Sequence, residues 1–354
     1  MKGLLSVSFS CQNRRQKKAA GEKTDRPKDV PRGTLKQPAV CPAANMKHRN
    51  GDITMTQPNT LRGILSALAG GILWGFSGTC GQFLFSFEAV DPSWLTVTRM
   101  LFAGIVLLAV SFPGHRTAMK GILTEKSSLI RLLLFSVLGL TTCQLTYLTA
   151  ISYSNAGTAT VLQYLGPALI MVVSCFLARR LPSGKEVFAI VLAVSGTFLL
   201  ATHGKPDSLV ISPEGLSWGL SSAVALVLYT MLPGSLIARW GSTVVTGYGM
   251  LIGGIFLFFL TGYWNYRISF SPAMVMGVAA IVVLGTALAF TLYLQGVSDI
   301  GSVKASMLAC IEPVSATVIS ALWLHTSFTT VDIAGLALIV TAVLMLSRKG
   351  KGTE

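Results

Sequence analysis

One carboxylate lies deep inside an apolar part of the sequence. Glu312 falls about 11 residues after its apolar run begins, roughly 17 Å along a helix. Placing an acid at the centre of a bilayer costs about 2.5–3.5 kcal/mol, and a carboxyl group removed from water favours its neutral form. Glu312 is a candidate for binding a proton beside a cavity; alternatively, it hydrogen bonds a neighbouring helix and fixes packing. Pro313 removes a backbone donor, which can kink the helix and free carbonyl groups to line a site.

Arg99 is the one basic residue well inside an apolar run, about 10 Å from the end of that run. A guanidinium at this depth can hold a substrate carboxylate or pair with an acid. The alternative is that Arg99 extends to the lipid headgroups or binds backbone carbonyls. A direct pair between Arg99 and Glu312 stays open.

Aromatic and polar side chains cluster near the middle of the other apolar runs. Buried amide and hydroxyl groups need partners in lipid, so we expect these side chains to face inward. Each of them either contacts a substrate or joins two helices, and the residue types leave both roles open. Two of them precede Pro167, a second proline in mid-run. The set comprises Trp74, Ser77, Gln82, Gln144, Tyr147, Gln163, Tyr164, Trp218, Tyr229, Tyr293 and Gln295.

The sequence lacks the patterns that metal, redox or nucleotide chemistry requires. Its six cysteines and four histidines form no CxxC pair and no Cys/His cluster, and it has no G-x-x-x-x-G-K-[ST] phosphate loop. We therefore predict no cofactor, no metal and no ATP hydrolysis. A carrier driven by a gradient fits best. A non-transporting receptor or scaffold is one alternative, and an intramembrane enzyme, which needs clustered catalytic groups, is another.

The elements that position these residues are helices in a lipid bilayer. Hydrophobic residues make up 52% of the 354 residues and charged residues 12%, about half the charge of a soluble domain. The apolar runs are continuous and long enough to cross a core of about 30 Å as helices, whereas membrane strands alternate. We predict an all-α membrane protein with ten spans, at about 61–85, 92–112, 129–150, 155–178, 184–203, 214–238, 243–263, 272–296, 301–324 and 330–347.

The net charge of +14 indicates a membrane topology and not nucleic-acid binding. Residues 1–54 form a basic extension that we expect to be disordered, with Met46 and Met55 as alternative start sites. Outside this extension, 13 Lys and Arg residues fall on the side of the two termini, including the tail at 348–354, against Lys205 and Arg267 on the other side. Cytoplasmic loops carry an excess of Lys and Arg, so both termini are predicted to be cytoplasmic.

The two halves of the sequence repeat each other. A shift of 146 residues places Pro167 on Pro313 and Tyr147 on Tyr293, and Gly139 falls on Gly285. We assign residues 61–203 to repeat 1 and residues 213–347 to repeat 2. Each repeat holds five spans, an odd number, so the second copy should be inverted in the membrane. Inverted repeats usually place a substrate site near the midplane, between the halves.

Short motifs resemble a known family. Leu-Trp-Gly at 73–75, the run from Arg99 to Gly104, and Ile-Glu-Pro-Val at 311–314 are similar to the drug/metabolite transporter superfamily with two EamA domains. The segments 158–167 and 202–204 resemble bacterial inner-membrane permeases of the YicL type. The resemblance covers about 61–347, and it implies ten helices around a central cavity. It also implies export of small metabolites, often amino acids or amines, across the bacterial inner membrane. The family often has an acid at the outer end of the ninth span, where this chain has His325 and Thr326.

These inferences combine into one functional hypothesis. We predict a secondary transporter that exports amino acids, amines or related carboxylates. Its partners are the lipid bilayer and a small-molecule substrate, with protons as the coupling ion through Glu312 if the acid titrates on the transport path.

Overall fold

The structure is a computed structural model that describes residues 60–347 except 178, 206–209, 301–304 and 306–307. The predicted N-terminal extension, its two alternative start sites, Lys304 and the tail at 348–354 lie outside the described residues. Within the described residues all regular structure is helical, and no strand occurs. The prediction of an all-α chain is therefore confirmed for this part of the sequence.

The helices of the described residues follow one another through both halves of the chain. The first half contains α1 (Thr60–Phe87), α2 (Pro92–Thr124), α3, α4 (Ala156–Gln163), α5 (Gly166–Leu177) and α6 (Gly184–Thr202). Helix α3 joins Lys126–Leu134 to Thr142–Tyr153 through a π-helical segment, Phe135–Thr141. The second half contains α7 (Pro213–Met231), α8 (Gly234–Trp240), α9 (Ser242–Leu260), α10, α11 (Ile311–Trp323) and α12 (Thr330–Ser347). Helix α10 joins Pro272–Val282 to Ala289–Ile300 through a second π-helical segment, Val283–Leu288.

Most of these helices have the length and composition of membrane spans. Among the described residues, eight helical segments are long and apolar enough to cross a membrane, and Ile311–Trp323 and Thr330–Met345 are shorter apolar helices. This number is two below the ten predicted, because the ninth and tenth spans correspond to the two shorter helices, and residues 301–304 and 306–307 of the ninth span lie outside the described residues.

Turn chemistry fixes where several helices begin. Helices α2, α7 and α10 start with proline, which lacks the N–H that a first turn leaves unpaired. The side chains of Asp91, Ser212 and Ser271 precede these prolines and accept hydrogen bonds from backbone N–H groups of the first turn. The predicted starts at 92, 214 and 272 lie within one residue of the observed ones.

The predicted end of the second span at residue 112 lies next to a kink. Helix α2 continues past Phe112, Pro113 and Gly114 to Thr124, but it is bent directly after them. Only His115 has non-helical angles, with φ −128° and ψ 24°. Proline removes one helical hydrogen bond and kinks a helix without having to end it, so the chain bends at this point and stays helical.

Helices of the two halves pack against each other in matching pairs. Helix α1 packs on α10 and α11, and α7 packs on α3, α4 and α5. Helix α2 packs on α9, and α6 packs on α12. The last pair meets backbone to backbone, since a Cβ built on Gly196 would lie 2.7 Å from the carbonyl oxygen of Gly335. Small residues at such crossings let helices approach closely in lipid.

Candidate functional site

Two helix breaks lie at equivalent places in the two halves. Helix α4 ends at Gln163, and α5 begins two residues after Tyr164. A shift of 146 residues carries Tyr164 onto Cys310, the turn residue that caps α11. Pro167 and Pro313 lie in the first turns of α5 and α11, where a missing N–H is tolerated. The paired prolines of the sequence therefore mark real interruptions of both helices.

Glu312 lies in the first turn of α11 and contacts the other break. The Tyr164 hydroxyl donates a hydrogen bond to Glu312 Oε2 at 3.0 Å. The second oxygen, Oε1, has no hydrogen-bond partner among the described residues. A carboxylate in the first turn of a helix is stabilised by the positive end of the helix dipole. The site therefore combines a fixed oxygen, held by the first half of the chain, with one that is free to bind a cation, an N–H group or a proton.

Arg99 is 7% exposed and is held by a residue of the second half of the chain. Its Nε donates to Thr286 Oγ1 at the long distance of 3.4 Å. Thr286 belongs to the π-helical segment of α10, and its hydroxyl donates to Ile281 O at 3.0 Å. No described carboxylate lies within 4.0 Å of Arg99, so a direct pair with Glu312 is absent from the described residues. Four of the five guanidinium donors have no partner among the described residues.

A cavity of about 540 Å³ brings these groups together. It is lined from both halves by α1, α2, α3, α4, α5, α7, α10, α11 and α12 together with the two breaks. Apart from Ser77, Gln82 and Gln295, the residues named from the sequence are twelve candidates for a substrate or proton pathway. Ten of these twelve line the cavity: Trp74, Arg99, Gln144, Tyr147, Gln163, Tyr164, Pro167, Tyr229, Tyr293 and Glu312.

The other two candidates lie outside the lining. Pro313 is buried in the first turn of α11, directly after the break. Trp218 packs beside a buried cluster that includes Leu148 and Ile151. Of the further polar residues, Ser77 lines the cavity, whereas Gln295 donates to Asp299 at 3.0 Å near the end of α10.

Several lining residues carry no sequence signal of their own. Cys143 and Cys310 read as small core residues, and Phe290 reads as an ordinary apolar residue, yet all three line the cavity. The ring of Trp74 contacts Phe290 at 5.3 Å and Tyr293 at 5.0 Å between centroids, which forms an aromatic wall. Only the match between Tyr164 and Cys310 under the 146-residue shift could have pointed to Cys310.

Gln82 joins three segments of the chain beyond one end of the cavity. Its Oε1 accepts from Ala156 N at 2.9 Å and from Ser320 Oγ at 3.1 Å, and its Nε2 donates to Thr326 Oγ1 at 2.9 Å. These four residues, the Gln82 network, join α1 to the start of α4 and to the end of α11. Lining residues precede Gln82 on α1, follow Ala156 on α4 and precede Ser320 on α11. The network therefore lies beyond the cavity, at the end of the bundle where α1 ends.

An ion pair joins α1 and α10 at the opposite end. Arg62 Nε and Nη2 donate to the two carboxylate oxygens of Asp299, both at 2.8 Å. These hydrogen bonds and the one from Gln295 lower the pKa of Asp299 to about 2. The Arg62 side chain is 41% exposed and that of Asp299 is 5% exposed, so water reaches the pair from the side of the arginine. This end, the Arg62 end, is held by a partly exposed ion pair, in contrast to the buried amide of Gln82.

Comparisons with known proteins agree with this geometry. The model of the EamA-like transporter family matches residues 61–202 and 213–348. An uncharacterized inner membrane transporter, YicL of Salmonella typhimurium, is 40% identical over 289 residues, which cover 82% of this chain and 96% of that protein. An uncharacterized transporter of Bacillus subtilis, YvbV, is 26% identical over 296 residues, which cover 80% and 90% of the two chains.

A solved crystal structure has the same fold. It aligns with a TM-score of 0.56 at 18% sequence identity and covers 80% of this chain and 95% of its own. Together with the apolar helices, these similarities indicate a multi-pass inner-membrane transporter of small molecules and not an enzyme. The chain belongs to the EamA-like transporter family, within the drug/metabolite transporter superfamily.

Proposed function

We propose that this protein is a proton-coupled secondary exporter of small metabolites that carry a carboxylate, an amine or both. It crosses the bacterial inner membrane ten times as two inverted repeats, residues 61–203 and 213–347, with both termini in the cytoplasm. One observation carries the proposal. A cavity between the halves presents an arginine and a glutamate that are not paired with each other.

The packing of the helices supports the inverted arrangement. Under the shift of 146 residues, α3 corresponds to α10, and α4 with α5 corresponds to α11. The first helix of each half packs on these equivalent helices of the other half. The five spans of each half are an odd number, so the same fold enters the membrane from opposite sides. Two copies of one fold that are related by an axis in the membrane plane would make this reciprocal set of contacts.

The lining of the cavity supports the substrate class. Its volume lies within the 300–1,000 Å³ that is typical of small-molecule sites. Arg99 offers several N–H donors, which bind a carboxylate strongly. Glu312 Oε1 and the aromatic wall of Trp74, Phe290 and Tyr293 suit an ammonium group. A zwitterion or a small amine therefore finds partners in the cavity, whereas a purely apolar solute leaves both ionisable groups unpaired.

Proton coupling follows from competition for Glu312. A proton and a cationic group of the substrate both neutralise the same carboxylate, so binding of one favours release of the other. An exporter uses this exchange when protons enter from outside and the solute leaves. The closed Gln82 network then keeps the outer end sealed while the solute loads from the cytoplasm. The excess of Lys and Arg at the Arg62 end supports a cytoplasmic position for that end.

The test has two stages. A thermal-shift screen of the purified protein against amino acids, amines and small carboxylates identifies a ligand, because binding to the folded state raises its apparent stability. Flux of that ligand is then measured in proteoliposomes with an imposed pH gradient. We expect the gradient to drive flux in the wild type. A receptor or scaffold would move no solute.

A further inference from the structure

Tyr164 faces two acceptors with a single proton. Its hydroxyl lies 3.0 Å from Glu312 Oε2 and 3.2 Å from Ala309 O. A phenol has one O–H donor, so a full-strength hydrogen bond reaches only one of these oxygens at a time. The choice between them depends on which oxygen attracts the proton more strongly.

The second acceptor exists because of Pro313. In a continuous α-helix the N–H of residue 313 would donate to the carbonyl of Ala309, four residues earlier. Proline has no N–H, so this carbonyl loses its helical partner at the break before α11. Ala309 is 6% exposed, and a buried carbonyl without a donor is unfavourable. The Tyr164 hydroxyl is placed to supply the donor that the proline removed.

The charge on Glu312 decides the competition. A hydrogen bond to an ionised carboxylate is roughly twice as strong as one between neutral groups, so the charged Glu312 holds the Tyr164 proton. A protonated Glu312 is a weaker acceptor, and the hydroxyl then turns to Ala309 O. No proton leaves Tyr164 in this exchange; the hydroxyl rotates between two oxygens.

We propose that Tyr164 is a positioning residue that converts the protonation state of Glu312 into a change of backbone hydrogen bonding at the break before α11. The inference rests on the proposed proton coupling and specifies how the carboxyl group acts on the helix. The turn that carries Tyr164 belongs to the first half of the chain, and the break belongs to the second. One hydroxyl therefore links the two halves at the point where each helix is interrupted.

Other ionisable groups face Glu312 and set its surroundings in every variant. They come from α2, α3, α7, α10 and the break itself, and they are Arg99, Cys143, Tyr147, Tyr229, Tyr293 and Cys310. The experiment must therefore report on Glu312 itself. The infrared C=O band of a protonated carboxyl group does so, once it is assigned by its loss in Glu312→Gln.

The first measurement titrates this band in the purified full-length protein. Tyr164→Phe keeps the ring and removes the hydroxyl, so the charged carboxylate loses a donor. We expect the pH at which the band is half lost to rise by about one unit, the size of one hydrogen bond to a charged group. Tyr248→Phe is the matched control, since its hydroxyl donates to Met119 O at 3.3 Å outside the cavity. An unchanged midpoint in Tyr164→Phe, with a normal melting temperature, overturns the inference.

The second measurement follows the backbone. Hydrogen–deuterium exchange of the peptide around residues 305–315, corrected for the intrinsic pH dependence of amide exchange, should change across the midpoint in the wild type and in Tyr248→Phe alike. We expect this pH response to be lost in Tyr164→Phe. If the response persists, the coupling to the backbone is wrong even if the midpoint moves. Both measurements are made without a solute, so their failure is distinct from an absence of flux.

Discussion

At the scale of residues, the cavity contains two ionisable side chains that are each held from one side and free on the other. Glu312 has one oxygen fixed by Tyr164, and Arg99 has one nitrogen fixed by Thr286. Desolvated charges are costly in a membrane unless they meet partners. A polar solute would bind the carboxylate oxygen and the guanidinium N–H groups for which the protein supplies no partner.

Glu312→Gln tests the coupling role of the carboxyl group. Glutamine keeps an oxygen for Tyr164 but does not titrate, so a pH gradient can no longer act through this position. We expect gradient-driven flux in proteoliposomes to fall by about tenfold or more, the equivalent of at least 1.4 kcal/mol, and its pH dependence to be lost.

The control is Glu214→Gln, which changes an exposed carboxylate at the start of α7. It should keep both the flux and the pH profile of the wild type. Normal flux with an unchanged pH profile in Glu312→Gln would remove this residue from the coupling mechanism.

Arg99→Ala tests the carboxylate subsite. A hydrogen bond to a charged group contributes about 1.5–3 kcal/mol, so affinity for a carboxylate-bearing ligand should fall by at least tenfold. Affinity for the corresponding amine without the carboxylate should fall much less. Binding of the two ligands is compared by thermal shift or calorimetry. The control is Arg131→Ala, a half-buried arginine on α3 that lies outside the cavity lining and donates to Ser235 Oγ at 3.1 Å. Equal losses for both ligands would assign Arg99 to helix packing.

Glu312 and Arg99 could be found from the sequence because an ionisable group in an apolar run is unfavourable unless it has a partner or a function. Their hydrogen-bond partners could not be found in this way. Thr286 and Tyr164 come from the opposite half of the chain in each case, and no local pattern specifies which helices meet. For the same reason the sequence placed Trp218 among the candidates, although its ring packs in an apolar cluster.

At the scale of elements, the interruptions of the helices shape the cavity. The mid-run prolines predicted the breaks before α5 and α11. The π-helical segments were not predictable, since they depend on tertiary contacts. Thr141 and Thr286 donate to carbonyls five residues earlier, and the glycines matched at 139 and 285 lie against α7 and α1. The repeat of the glycine could be seen in the sequence, but the helix that each glycine contacts could not.

Gln82→Leu tests the closed end of the cavity. The change removes three hydrogen bonds between α1, α4 and α11. Leucine is chosen because α7 has it at the equivalent position: the shift of 144 residues that places Trp74 on Trp218 also places Gln82 on Leu226. We expect Cys143, kept as the sole cysteine, to react faster with a membrane-impermeant maleimide added at the outer side. Gln295→Leu, the same change near the Arg62 end, should leave this rate unchanged. An unaltered rate in Gln82→Leu would show that the network is not the seal.

Gly196→Ala tests the backbone contact between α6 and α12. A Cβ at this position would lie 2.7 Å from Gly335 O, so the helices must separate. Overpacking of this kind costs about 1–3 kcal/mol, and the melting temperature of the purified protein should fall. Gly184→Ala lies on the same helix with nothing within 4 Å of its Cβ and should melt like the wild type. Equal melting of the two variants would contradict the close contact.

At the scale of the whole molecule, the function proposed here depends on two copies of one fold entering the membrane from opposite sides. Composition predicted the helical membrane class, and the 146-residue shift predicted the duplication. Neither specifies how the halves meet, because the apolar faces that pack on protein and those that face lipid use the same residues. The helix pairing supplies that information: α1 packs on α10 and α11, as α7 packs on α3, α4 and α5.

Cysteine labelling in the first turns of the two helices that open the repeats tests this arrangement most directly. Thr60 and Glu214 are exposed at the starts of α1 and α7, the equivalent helices of the two halves. In a protein without other cysteines, a membrane-impermeant maleimide should reach Thr60→Cys only from the cytoplasm and Glu214→Cys only from the outside. Labelling of both positions from the same side would contradict the inverted repeats, and the proposed exchange across a shared cavity would fall with them.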